Sequence, residues 1–122
     1  MLFYKQNIGK IGENAAAKFL KKLGYKILSR NFKNNYGEID VIAKDNTCTV
    51  FVEVKTRTST DFGYPAEAVD YRKQSKIIKV AQSYSGVSYN SYIRFDIVEV
   101  YIDKYSRKID KINHIKNAFM QK

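Results

Sequence analysis

Two apolar stretches, GEIDVIAKD at 37–45 and CTVFVEVKTR at 48–57, constrain this chain more than any other feature. Both are rich in β-branched and aromatic residues, and the polar KDNT around their junction supplies a turn, so they read as a hairpin. Asp40, Glu53 and Lys55 stand inside these apolar runs. A charge carried into a buried strand is costly unless a partner compensates it. Either the three groups neutralise one another, or they hold something that the chain does not itself supply.

Side chains two apart on a strand share a face, so Phe51, Glu53 and Lys55 point together. Pairing Ala43 with Val50 across the turn sets Ile42 opposite Phe51 and Asp40 opposite Glu53. One face of the hairpin is then wholly apolar, with Ile39, Val41, Val50, Val52 and Val54. Asp40, Glu53 and Lys55 gather at one end of the other face, and a slip of one residue would scatter them. Carboxylates placed opposite each other on neighbouring strands repel, and Lys55 neutralises only one of them. The remainder calls for hydrogen bonds, a raised pKa or a cation. Mg²⁺ or Mn²⁺ suits such a site, because hard divalent ions bind through one or two carboxylates, waters and substrate phosphates. A bound ion lowers the pKa of a water and stabilises charge growing on phosphorus, and Lys55 beside that water would orient it or stabilise the pentavalent state. The plainer alternative is an ion pair with one partly solvated acid, since short patterns of this kind recur by chance.

The rest of the chain frames the hairpin. Helical spacing runs from about residue 9 to 23, with Ala16, Phe19, Leu20 and Leu23 on the core face and Gly24 as a left-handed cap. Glu13 falls at the margin of that face. It is the one acid among the first 36 residues, which carry eight Lys and Arg. YKILSRNF alternates as a first strand, NNYG turns, and TRTSTDFGYP reads as a polar loop punctuated by Gly63 and Pro65. A second helix is expected over about 70–84, with Ile77, Ile78, Ala81 and Tyr84 inward and Arg72, Lys73, Lys76 and Lys79 on its polar side. SYIRFDIVEVYI is the longest strand, and RKIDKINHI a weaker final one. The order α-β-β-β-α-β-β predicts an α/β fold, a mixed sheet flanked by helices, as a single domain over 1–122.

Charge narrows the partners. The chain carries 22 Lys and Arg against 12 Asp and Glu, a net charge of +10. A field of that size favours a polyanion, nucleic acid first and an anionic membrane surface second. Arg57, two residues past the Glu-Val-Lys run, and Lys73, at the start of the second helix, are candidate contacts to the nucleic-acid backbone. Arg94 and Asp96 share a strand face and are expected to pair locally, and His114 lacks the partners of a metal ligand. The tyrosines offer stacking surfaces for unpaired bases, though most are expected in the core and its rim. Cys48 is the only cysteine, so a reducing compartment is expected and Cys48 reads as a small residue near the turn. No apolar run approaches the ~20 residues of a membrane span, and the start lacks the pattern of a signal peptide. The expectation is a cytoplasmic protein.

At this point a family resemblance enters. A strand Asp, Glu-x-Lys on the next strand and a Glu on the preceding helix resemble the PD-(D/E)xK nucleases of restriction-endonuclease-like fold. GxxGExxAAxFLKKxGYxIL over 9–28, RNF, GEIDVIA, VFVEVKTR, GYPAEAV, RFDIV and HIKNAF together resemble the YraN family of bacterial proteins, which is similar to archaeal Holliday junction resolvases. The resemblance covers nearly the whole chain. It implies a DNA endonuclease acting on branched or structured DNA, with Glu13, Asp40 and Glu53 as acidic metal-site residues and Lys55 as the site lysine. Ile39 stands where the superfamily's name has proline. Junction resolvases cut two strands symmetrically, so the resemblance also implies a homodimer. The contrasting expectations are a nucleic-acid-binding module with a vestigial site, and an RNA-binding or ribosome-associated protein using the same charge.

Overall fold

The computed structural model describes residues 3–58, 70–84, 86–87 and 92–120, residues 3–7 by their backbone alone. Helix α1 (Phe3–Lys22) leads into strands β1 (Lys26–Asn34), β2 (Gly37–Asp45) and β3 (Cys48–Thr58). Helix α2 (Tyr71–Ser83) follows, then β4 (Tyr92–Ile102) and β5 (Ile109–Phe119). The element order is the expected one. The five strands make one mixed sheet in the order β1-β2-β3-β4-β5. Every neighbouring pair is antiparallel except β3 with β4. A parallel neighbour cannot be reached by a tight hairpin, which is why the chain crosses over through α2 between these strands.

Each helix covers one face of the sheet. Ala16 and Leu20 of α1 pack with Val41, Ala43, Val50, Val52, Val98, Val100 and Ile102. Ile77, Val80 and Ala81 of α2 pack on the other face with Ile39, Ile42, Phe51, Phe95 and Ile97. Covered on both sides, β3 and β4 are near-continuous apolar runs, as buried parallel strands require. Among the described residues, no helix is long and apolar enough to cross a membrane.

Helix α1 starts six residues earlier than expected, and Ile8 and Ile11 extend its apolar stripe, packing against the same core as Ala15 and Phe19. Its end closes as a Schellman turn: Tyr25 N–H donates to Leu20 O, Gly24 N–H to Lys21 O, and Gly24 takes a φ of 95°. The turn corrects one expectation. Leu23 is exposed, and Tyr25 takes the buried place beyond the cap. In α2 the buried stripe is Ile77, Val80 and Ala81, with Ile78 and Tyr84 only partly covered. Residues 56–58, expected in a loop, continue β3, because pairing with Val100, Tyr101 and Ile102 takes up their backbone groups. The loop with Gly63 and Pro65, and the GYPAEAV motif, lie outside the described residues.

Candidate active site

The β2–β3 register is the expected one, with Ala43 opposite Val50 and Ile42 opposite Phe51, but the paired ladder ends at Val41–Val52. One step further, the Asp40 carboxylate replaces a main-chain acceptor: its Oδ2 accepts the Val54 N–H at 2.8 Å. On the other side, Asp40 and Asn31 lie between the pairs Arg30–Val41 and Phe32–Ile39, and Asn31 turns through a φ of 53°. The pleat therefore loses its alternation at this point. Val41 joins the α1 layer, whereas Ile39 packs with Ile42 and Phe51 in the α2 layer. Ile39 thus leaves the apolar face expected for it, and Asp40 sits at a fork where β2 parts from β3.

Around the fork, charges from four elements meet. Glu53, buried between Val52 and Val54, points to the α2 side with Phe51 and Lys55. Its Oε1 accepts from Lys73 Nζ at 2.7 Å, while Lys55 Nζ stands 3.8 Å from the same oxygen. Lys73 reaches it from the first turn of α2, whose start is set by the Asp70 cap, Oδ1 accepting the Lys73 N–H at 3.0 Å. Lys73 therefore pairs with an acid of the cluster, a role that its exposed helical position in the sequence did not suggest.

The fields of these groups perturb one another. Burial first, and then the charge of Glu53, push the Asp40 carboxyl from 3.8 up to about 7, against the opposing Val54 hydrogen bond. Glu13 adds to the rise. It is half-buried on α1, next to Gly12, where a Cβ would overlap Thr56 Oγ1. Gly12 thereby lets α1 lie directly on the far end of β3. Burial and the positive charge of Lys73 hold Lys55 below its ordinary value. For Lys73, burial works against the charged form, but the hydrogen bond and charge of Glu53 outweigh it, and the ammonium is held above its ordinary value.

Asp40 and Glu53 are thus brought together, with Glu13 within electrostatic reach. Among the described residues, no three His, Cys, Asp or Glu side chains stand as a ready metal-ligating group. Two crowded carboxylates, one of them pushed to protonation near neutrality, have the donor chemistry for a hydrated hard cation that keeps most of its waters. They do not amount to an all-protein cage.

Two features went unread in the sequence. Val-Glu-Val occurs twice, at 52–54 and at 98–100, and the second copy places Glu99 on β4 as the register partner of Lys55. Glu99 is fully buried; its Oε1 accepts from Asn113 Nδ2 at 2.6 Å, and its Oε2 has no partner among the described residues. The recurrence was the available signal. Half-buried Arg57 lies on the same face, two residues past Lys55, its Nε likewise without a partner among the described residues.

The second feature is a network on the opposite face around buried Asp96. Arg94 donates to Asp96 through Nε at 2.8 Å and Nη2 at 3.0 Å, the local pair expected. His114 Nε2 meets Asp96 at 2.7 Å, and the Asn117 N–H donates to it at 2.9 Å. Arg94 Nη2 also donates to Tyr25 Oη at 2.6 Å, so the network ties β4 and β5 to the end of α1. Residues far apart in the chain build it, and no local pattern announced the role of His114.

These elements define a class: an α/β domain on a strongly basic chain, with two carboxylates and two lysines gathered where β2 parts from β3. The chain belongs to the UPF0102 (YraN-like) family, whose model, described as "Uncharacterised protein family UPF0102", matches residues 12–100. That span contains Glu13, Asp40, Glu53, Lys55, Lys73 and Glu99. A UPF0102 protein of Caldanaerobacter subterraneus subsp. tengcongensis is 54% identical over 117 residues, covering 94% of this chain and 96% of the relative. One from Caldicellulosiruptor saccharolyticus is 49% identical over 117 residues, covering 94% and 98%. One from Clostridium beijerinckii is 48% identical over 118 residues, covering 93% and 94%.

Proposed function

We propose that this chain is a divalent-metal-dependent nuclease of the PD-(D/E)xK type, with a restriction-endonuclease-like core, acting on branched or structured DNA. The observation that carries the reading is the fork at Asp40, where two carboxylates crowd each other beside two lysines on a chain of net charge +10. A protein that only bound DNA would gain nothing from carboxylates held together where phosphates approach. Asp40 and Glu53 would hold Mg²⁺ or Mn²⁺, with Glu13 behind them. Such an ion supplies Lewis-acid stabilisation of the phosphoryl oxygens and a water of lowered pKa. Lys55, held beside Glu53, is the group that orients the attacking water or meets the charge growing on phosphorus.

Arg72, Lys73 and Lys76 line a groove of about 400 Å³ with Gly37, Glu38, Asp70 and Ile77. Cations along such a groove suit the sugar–phosphate backbone, which positions a nucleic acid without reading its sequence. Arg57 extends the same cationic side of β3. Symmetric cutting of a branched substrate calls for two copies of the chain.

One observation favours a second reading, a nucleic-acid-binding module without cleavage: Lys73 already neutralises Glu53. The test is cleavage of a four-way junction, a duplex and a single strand, each with Mn²⁺ and with EDTA, by the parent and by Asp40→Asn. Mn²⁺-dependent cleavage lost in Asp40→Asn supports the nuclease. Tight binding of all three without cleavage leaves the binding module.

A further inference from the structure

Lys73 is half-exposed, whereas the Glu53 carboxylate that it bonds is almost wholly buried. The short contact uses one of the oxygens that a cation bound between Asp40 and Glu53 needs, and Lys55 approaches that same oxygen from 3.8 Å without closing on it. We infer that Lys73 is a built-in counter-cation of this site: it occupies Glu53 while the site is empty, is expelled when a divalent ion arrives, and is then free for a substrate phosphate. This rests on reading the fork as a metal centre.

Three observations support the exchange. A divalent ion bound at Glu53 would lie close to the ammonium on the same carboxylate and repel it, more strongly than the partly screened Lys55 charge does. The anchor of Lys73 is its backbone, since the Asp70 cap holds its N–H and not its side chain, so the ammonium can leave without unwinding α2. Its way out lies along the groove it lines with Arg72 and Lys76. Metal and phosphate binding are thereby coupled. The ion converts Lys73 from a partner of the protein into a partner of the substrate, and the empty site does not present an unpaired buried acid to DNA.

The test is calorimetric titration of Mn²⁺ into the parent, Lys73→Met and Lys73→Gln, without DNA, with Lys76→Met as control. Met keeps the length of the stem, and both variants keep the backbone cap. Losing a competing charge-assisted hydrogen bond should raise Mn²⁺ affinity roughly tenfold in both Lys73 variants. Lys76→Met removes the same charge one turn away and should change it at most about twofold, through the screened field alone.

DNA binding gives the second arm. With Ca²⁺ in place of Mn²⁺, the salt slope of DNA affinity should flatten by about one unit in Lys73→Met relative to the parent. In EDTA the two slopes should coincide. A Lys73 that only pins α2 to β3 predicts the opposite first result, weaker metal binding in the variants, and that result overturns the inference. So does an equal rise in Lys76→Met, or no change at Lys73 while the parent binds Mn²⁺. Failure of the parent and every variant to bind Mn²⁺ would remove the metal reading itself. Binding by the Lys73 variants alone would support the exchange most directly.

Discussion

Replacing Asp40 with asparagine tests the crowding at the fork with no reference to catalysis. Burial and the Glu53 charge raise the Asp40 carboxyl from 3.8 to about 7. The unfolded chain releases that proton near its ordinary value, whereas the folded chain keeps it until near neutrality. Folding therefore takes up a proton between these limits. The stability is fully present below the lower limit and is lost as the pH rises through the upper one. At about 1.4 kcal/mol per unit the whole loss approaches ~4 kcal/mol, of which roughly 2–3 kcal/mol falls between about pH 5 and about pH 8. Asparagine carries no charge, and its Oδ1 can still accept the Val54 N–H. In EDTA, urea denaturation should show the parent losing that ~2–3 kcal/mol relative to Asp40→Asn across the interval. By melting temperature the gap should be on the order of 10 °C. Mn²⁺ at the higher pH should restore the parent and leave the variant unmoved. An Asp40→Asn variant less stable than the parent at about pH 8 without metal would refute the reasoning. The Val54 hydrogen bond and the lysines would then outweigh burial and Glu53.

Other outcomes follow from the same geometry. Lys55→Ala should abolish cleavage while calorimetry still detects Mn²⁺ binding, whereas Asp40→Asn should lose both, because one orients the water or meets the charge growing on phosphorus and the other is a ligand. If about six phosphates are contacted, DNA affinity should fall by roughly three decades between about 50 and 200 mM salt, and a salt-independent affinity would count against nucleic acid as the partner. Asp96→Asn should cost about 3–5 kcal/mol in urea denaturation, since it puts in the fully buried position a neutral group that turns a donor toward the Arg94, His114 and Asn117 donors; a cost under about 1 kcal/mol would contradict the network. Gly12→Ala should destabilise by about 1–3 kcal/mol through overlap with Thr56 Oγ1, and adding Thr56→Ala should recover most of it.

Most of the architecture was legible because the signals that set it are local. Helical spacing, strand alternation and the glycine cap each depend on residues a few positions apart, and they yielded the order of all seven elements. The hairpin register was legible as well, since a slip would have moved every valine to the wrong face. Asp40, Glu53 and Lys55 stood out for a related reason: a charge inside an apolar strand is conspicuous wherever the strand lies. Glu99 meets the same criterion, standing inside the second Val-Glu-Val.

Chain order could not reveal what depends on the approach of separate elements. Ile39 changed faces because Asn31, on a different strand, turns through a positive φ beside Asp40. Leu23 was displaced from the core by Tyr25 because the Schellman turn redirects the chain. Lys73 read from the sequence as a candidate phosphate contact, and its pairing with Glu53 at 2.7 Å came only with α2, carried over the sheet by the parallel crossover. His114, on the last strand, found Asp96 only when β5 paired with β4. The sequence by itself determined which segments carry the core and that three charges stand within them, because burial preference and periodicity are properties of a segment. Only the tertiary structure decided that Lys73 compensates Glu53, because electrostatic partnership depends on distance in space, and here it joins residues 20 positions apart in the chain.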